Sequence, residues 1–276
     1  MTDHPRTIPE TKYLLRTVDK NRQSYGGFQW PHELGTRVEP SNGWSDTAEC
    51  GNGIHGLLNG EGEGSLLDWS DDAIWQIVST DADVVELDGK VKAPWVILIA
   101  QGDRYTVTQK LAELCPSARA IVGITVTAGH RGQATAGYRG QATAGYGGKA
   151  TAGDEGQATA GYRGKATAGY RGKATAGHRG QATAGHRGQA TAGYRGKATA
   201  GYRGQAAAGD GGQAAAGDGG QAAAGERGTL AIEWHDGIRM RLSVGYVGEN
   251  GIRPNTTYRC DDKGEFVAVS RWEVLK

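Results

Sequence analysis

The side chains best suited to chemistry in this chain come as a recurring pair. Between residues 129 and 228 an aromatic ring followed by arginine stands between two glycines at eight-residue intervals, as in Tyr162-Arg163, Tyr170-Arg171, Tyr194-Arg195 and Tyr202-Arg203. His178-Arg179 and His186-Arg187 vary the ring, and Tyr146 is followed by glycine. Rings interleaved with cations can stack on nucleobases while neutralising phosphates. They suit an acidic protein surface equally well, including a second copy of the chain. The plain alternative is that Tyr and Arg merely line a turn and keep it soluble. Among partners, a protein surface ranks ahead of nucleic acid. A second outward set is the threonines Thr135, Thr143, Thr151, Thr159, Thr167, Thr175, Thr183, Thr191 and Thr199.

Other candidates are sparser. Cys50 and His55, in CGNGIHG, form the only close Cys/His pair. A thiol nucleophile needs a base and an orienting third group, and zinc needs four ligands. Neither set is completed nearby, so a glycine-rich loop holding a buried histidine is the expectation. NGEGEGS (59–65) is acidic, which repels phosphate, and no P-loop lysine follows. Glu61, Glu63, Asp71 and Asp72 could form a weak metal loop, but a solvated loop is the simpler reading. No catalytic residue, cofactor site or metal site is assigned.

These groups must be positioned by something periodic. From Gly129 to Ala224 the unit Gly-x-x-Gly-Gln/Lys-Ala-Thr/Ala-Ala runs twelve times without insertion, and GERGTLAI (225–232) is a decayed thirteenth copy. Two glycines per octad, at roughly 1 kcal/mol each relative to alanine, exclude a helical repeat, and collagen needs glycine every third residue. A four-residue strand followed by a tight turn fits. Leu230 and Ile232 replace alanines at the sixth and eighth positions, and Val126 occupies the sixth position before the array. Strand side chains alternate faces, so these positions point inward. The fifth (Gln/Lys) and seventh (Thr) then point outward. The fold expected is mainly β: a two-sheeted β-solenoid of eight-residue half-coils, sixteen residues per coil, with coils ~4.8 Å apart. One turn column then carries Tyr146, Tyr162 and Tyr194 with Arg163, Arg179 and Arg195. The opposite column carries Tyr170 and Tyr202 with Arg171, Arg187 and Arg203.

AGYRGQATAGYRGKAT resembles the sixteen-residue coil of bacterial ice nucleation proteins, whose octads run approximately A-G-Y-G-S-T-x-T. The resemblance places the family's outward T-x-T pair on the fifth and seventh positions and its tyrosine ladder on the second. Here the first threonine of each pair has become Gln or Lys, and the last three full octads read QAAA. Only Thr125 and Thr127 keep the pair. The likeness supports the fold and leaves an ice-binding or water-organising rod as an alternative function. GGFQWP (26–31), ECGNGIHGLLNGEGEGSLLDWS (49–70) and LDGKVKAPW (87–95) are similar to an uncharacterised bacterial and phage-associated family. Its members join such an N-terminal domain to an octapeptide array and a small C-terminal segment, and it implies architecture without catalysis.

The expected organisation is a tail (1–10), an α+β head (11–124), the solenoid (125–232) and a small C-terminal β cap (233–276). In the head, residues 12–19, 73–80 and 95–100 read as strands, 84–94 as a hairpin with an Asp-Gly turn, and 105–115 as a short amphipathic helix. Trp30, Trp44, Trp69, Trp75 and Trp95 concentrate there and are expected to supply a large core. Arg16, Ser79-Thr80 and Glu86 loosely resemble an ADP-ribosyltransferase order, which leaves a small enzyme in the head as a further alternative. Charge divides sharply: residues 1–128 carry net −7, residues 129–228 net +8 and residues 229–276 none. The three cysteines are too few and too scattered for a disulfide framework. The start lacks the apolar core of a signal peptide, and no stretch approaches the ~18 apolar residues of a membrane span. A cytoplasmic, non-enzymatic structural or interaction protein, without membrane or cofactor, is the reading carried forward.

Overall fold

The computed structural model describes residues 10–269, and the chain divides into two compact units, 1–124 and 125–276. No helix among the described residues is long and apolar enough to cross a membrane.

The first unit is an antiparallel sheet with one helix. Its strands are β1 (Lys12–Val18), β2 (Gln23–Ser24), β3 (Phe28–Gln29), β4 (Arg37–Val38), β5 (Ile54–Leu58), β6 (Ile74–Thr80), β7 (Val85–Leu87), β8 (Lys90–Ala93) and β9 (Val96–Gly102). Seven of them form the sheet, in the order β4-β9-β6-β1-β5-β8-β7, while β2 and β3 pair with each other. β1 is a continuous run of large side chains, so it lies centrally with both faces covered. Leu14, Val18, Trp30 and Ile54 share one buried cluster with Val78 and Leu98. Helix α1 (Arg104–Leu114) starts at Asp103, whose carboxylate accepts from the Thr106 amide at 2.9 Å. It packs on β1, β6 and β9 through Val107 and Leu111, with Leu114 only half-buried.

Two expectations need correcting. The segment GIHGLL is not a loop: Ile54–Leu58 is β5, an interior strand of the sheet. Its two flanking glycine clusters masked a short strand. Nor do all five tryptophans fill the core. Trp30 and Trp75 are buried, Trp69 and Trp95 half-buried, and Trp44 is exposed. The core is completed by aliphatic residues of the strands.

The second unit is the solenoid. After β10 (Thr125–Ala128) each octad contributes one strand, from β11 (Gln133–Ala136) to β22 (Gln221–Ala224), and β23 (Thr229–His235) completes the series. Even-numbered strands stack in one parallel sheet and odd-numbered strands in another, giving about seven turns. The pairing is a strict sixteen-residue step: Ala142 opposes Ala158, and Ala166 opposes Ala182. Sixth- and eighth-position alanines are buried throughout. Fifth-position Gln and Lys face outward, with the seventh position exposed or half-exposed. In the last coil Leu230 and Ile232 are fully buried. The chain then reverses. β24 (Met240–Tyr246) runs antiparallel to β23, β25 (Tyr258–Cys260) touches β22 at Ala222–Tyr258, and β26 (Phe266–Ala268) pairs with β25. The end strands thus add to the solenoid's own two sheets.

Candidate functional sites

Each octad turn is closed by a hydrogen bond from the fourth-position glycine amide to the first-position glycine carbonyl, as from Gly164 to Gly161 at 2.9 Å. The turns also stack on one another: the Arg163 amide donates to the His178 carbonyl at 2.9 Å, and the Arg179 amide to Tyr194 at 2.8 Å. The two glycines are there for space. A β-carbon on Gly161 would stand 3.0 Å from the Gly145 carbonyl carbon, and one on Gly164 would stand 2.7 Å from the Ala160 methyl. Neither glycine has a positive φ.

The left-handed position is the third. Arg163, Arg171, Arg179, Arg187, Arg195 and Arg203 all have φ between 52° and 55°. Backbone sterics there favour glycine by roughly 1–2 kcal/mol over an L side chain. Gly147, Gly211 and Gly219 occupy the same turn position with φ of 63–65°. Glycine therefore fits this turn, yet most octads carry arginine. These six arginines are exposed, and none has a carboxylate partner among the described residues. Arg163, Arg171, Arg195 and Arg203 hold their guanidinium 5.1–5.5 Å from the ring of the preceding tyrosine, within cation–π range.

The aromatic columns fall where the register requires, but not as uniform ladders. His130, Tyr146 and Tyr162 stack face to face at 5.0 and 5.2 Å. Further along, His178–Tyr194 and His186–Tyr202 are tilted and lie 6.2 Å apart. The opposite edge is broken at Asp154, whose carboxylate accepts from the Tyr170 amide at 2.7 Å, while Glu155 pairs with Arg139 at 2.7 Å. Beyond that break the Arg187 guanidinium donates to the Tyr170 hydroxyl at 3.3 Å, joining adjacent coils. Thr135, Thr151, Thr167, Thr183 and Thr199 align on one sheet, and Thr143, Thr159, Thr175 and Thr191 on the other.

In the first unit the acidic loop is structural. Glu61 accepts from the Arg119 and Ala120 amides, Glu63 accepts from Ser65 at 3.0 Å, and Asp72 pairs with Lys20 at 3.6 Å. Among the described residues no three His, Cys, Asp or Glu side chains gather as a metal would need. The transferase-like set does not converge. Ser79 pairs with Tyr13 and lies on the opposite sheet face from Arg16, and Glu86 is on β7, three strands from β1.

What does gather, unforeseen from sequence, is a cleft of about 800 Å³ lined by Arg16, His55, Trp30, Phe28, Cys50 and Lys90, among others. The registered pairing of β1 with β5 covers only Leu14–Leu58 and Leu15–Leu57. Residues 16–19 and 53–56 beyond it become walls of the cleft. Arg16 is buried with its guanidinium 3.7 Å from the Trp30 ring centre, and it donates to the His55 carbonyl at 3.2 Å. Burial pushes its pKa down to about 9, which leaves it charged at neutral pH. His55 is lowered to about 4, first by burial and then by Lys90, Arg16 and Lys92, so it is neutral. Arginine inside β1 was visible in the sequence, but its convergence with His55 depends on a strand that glycines concealed.

Comparison with protein-family models, curated proteins and solved structures finds no match for the chain.

Proposed function

We propose that this chain is a non-enzymatic interaction protein whose solenoid is a stiff spacer presenting Tyr/Arg edges to an acidic protein surface, a second copy of the chain included. The observation that carries this is arginine held in a left-handed turn where glycine also occurs and is less strained. Strained backbone at repeated surface positions points to a role for the side chain. Three arginines in series, about one coil apart, repel one another, so an anionic partner relieves two costs at once. The −7 of the first 128 residues against the +8 of the array makes the acidic unit of another molecule a suitable partner. Aligned threonine rows on each sheet favour a second reading, a water-organising face, but Gln and Lys stand beside them in every full octad.

The test replaces Arg163, Arg171, Arg179, Arg187, Arg195 and Arg203 with glycine. In sedimentation at low salt the wild type should associate, and association should weaken as rising ionic strength shortens the screening length. The six-fold variant should keep its circular dichroism and lose association. A wild type that is monomeric at low salt and binds no acidic protein would refute the reading. Retention of DNA or RNA that the variant loses would transfer the edges to nucleic acid.

A further inference from the structure

The cleft in the first unit has a chemical character its surroundings do not share. That unit is acidic overall, yet at the cleft the buried cation Arg16 meets no carboxylate among the described residues. Asp19 and Asp68 also line the cleft, but both are engaged in backbone turns, with the amides of Asn21 and Gln23 and of Ser70. Guanidinium groups carry five N–H donors. Arg16 uses Nη1 on the His55 carbonyl, and its buried Nε has no hydrogen-bond partner. His55 Nε2 is likewise buried without one. Two residues that each hold an orphaned buried polar atom, on neighbouring strands, therefore line one cavity. An unpaired buried charge is strongly unfavourable, and a buried polar atom left unsatisfied adds a further penalty. Such groups call for a partner, whether a water, an ion or a ligand, to complete them.

We infer that this cleft binds a small organic molecule bearing an oxyanion, carboxylate or phosphoryl, which accepts from Arg16 and His55. An arginine fork matches the paired oxygens of either group. The cavity far exceeds a bare phosphate and lies within the usual range for small-molecule sites, so a larger body must accompany the anion. Lys90 on the adjoining wall adds a second positive charge, and Phe28 and Trp30 offer apolar surface for that body. The inference is independent of the solenoid edges.

The experiment uses the full chain with three probes: pyrophosphate, citrate and adenosine monophosphate. At least one should bind by calorimetry, with phosphoryl and carboxylate sources separated by which. Arg16→Met keeps an apolar stem against Trp30 and removes the charge. It should weaken binding at least tenfold while leaving the melting temperature equal or higher, because an uncompensated buried cation is gone. A merely structural arginine would give the opposite: lower melting temperature and unchanged binding. Should Arg16→Met fail to fold, the wild type still decides. The His55 ring resonances, assigned by their loss in His55→Gln, should shift on adding the bound probe. No binding tighter than about 10 mM by any probe, with His55 unmoved, would overturn the inference.

Discussion

At the level of single residues the turn reverses the usual expectation about glycine. The glycines at octad positions one and four have ordinary φ and are held by steric contact, while the residue with left-handed φ is an arginine. Replacing Arg179 with glycine should leave stability within about 1 kcal/mol of wild type, or raise it, since relief of φ is offset by a looser unfolded chain. Replacing Gly164 with alanine should cost about 1–3 kcal/mol, because the new methyl overlaps Ala160 and nothing in the narrow interior can give way. Denaturant midpoints of the two variants decide. If Arg179→Gly proves the more damaging, the left-handed assignment fails. His55 supplies a pH prediction. Its proton leaves near pH 4 in the folded unit and near 6.5 in the unfolded chain, so in that window the unfolded state holds more protons. Stability of the first unit should therefore fall on acidification from about 6.5 to 4. His55→Gln should flatten that part of the profile. An unchanged slope would show that other groups govern it.

At the scale of elements, the coil is the unit that stacks, and its stability should be close to a sum over neighbours. Deleting residues 161–176 removes one whole coil and keeps every later pairing in step. The shortened protein should retain the wild-type circular dichroism with a lower unfolding midpoint. Deleting Thr167 alone shifts the alternation by one and sends alanines outward and polar side chains inward. That variant should lose array structure by the same measurement. The coil was legible because the repeat is printed twelve times, with Leu230, Ile232 and Val126 marking the inward face. The hairpin at 84–94 and helix α1 were legible for local reasons, an Asp-Gly turn and a periodic apolar face. β5 was not, since CGNGIHG has the glycine density of a loop and becomes a strand only by pairing with β1 and β8. The cleft was hidden for that reason. Arg16 was legible as a residue on the first strand; that it would be buried without an acid is a property of the packed sheet.

The whole molecule sets two further expectations. Ice organisation needs a flat, regular outward threonine array. Here Gln133, Lys149, Lys165 and Gln181 alternate with the threonines, and Ala207, Ala215 and Ala223 end the rows. Droplets containing the protein should freeze no earlier than buffer. Freezing well above the control, lost when Thr135, Thr151 and Thr167 become lysine, would reverse that conclusion. The final expectation concerns the C-terminal end of the solenoid. Both sheets would finish there as open edges of unpaired amides and carbonyls, which recruit other chains. β24 covers one by pairing along all of β23, and Tyr258 on β25 meets Ala222 on the other. Leu230 and Ile232 close the narrow interior beneath them. Ending the chain at Ala224 removes all of these while leaving the twelve octads intact. The truncated protein should scatter light progressively and in proportion to its concentration, even in high salt, where contacts through the arginine edges are screened. If instead it stays monomeric in high salt, the terminal strands are not what keeps the solenoid from stacking end to end.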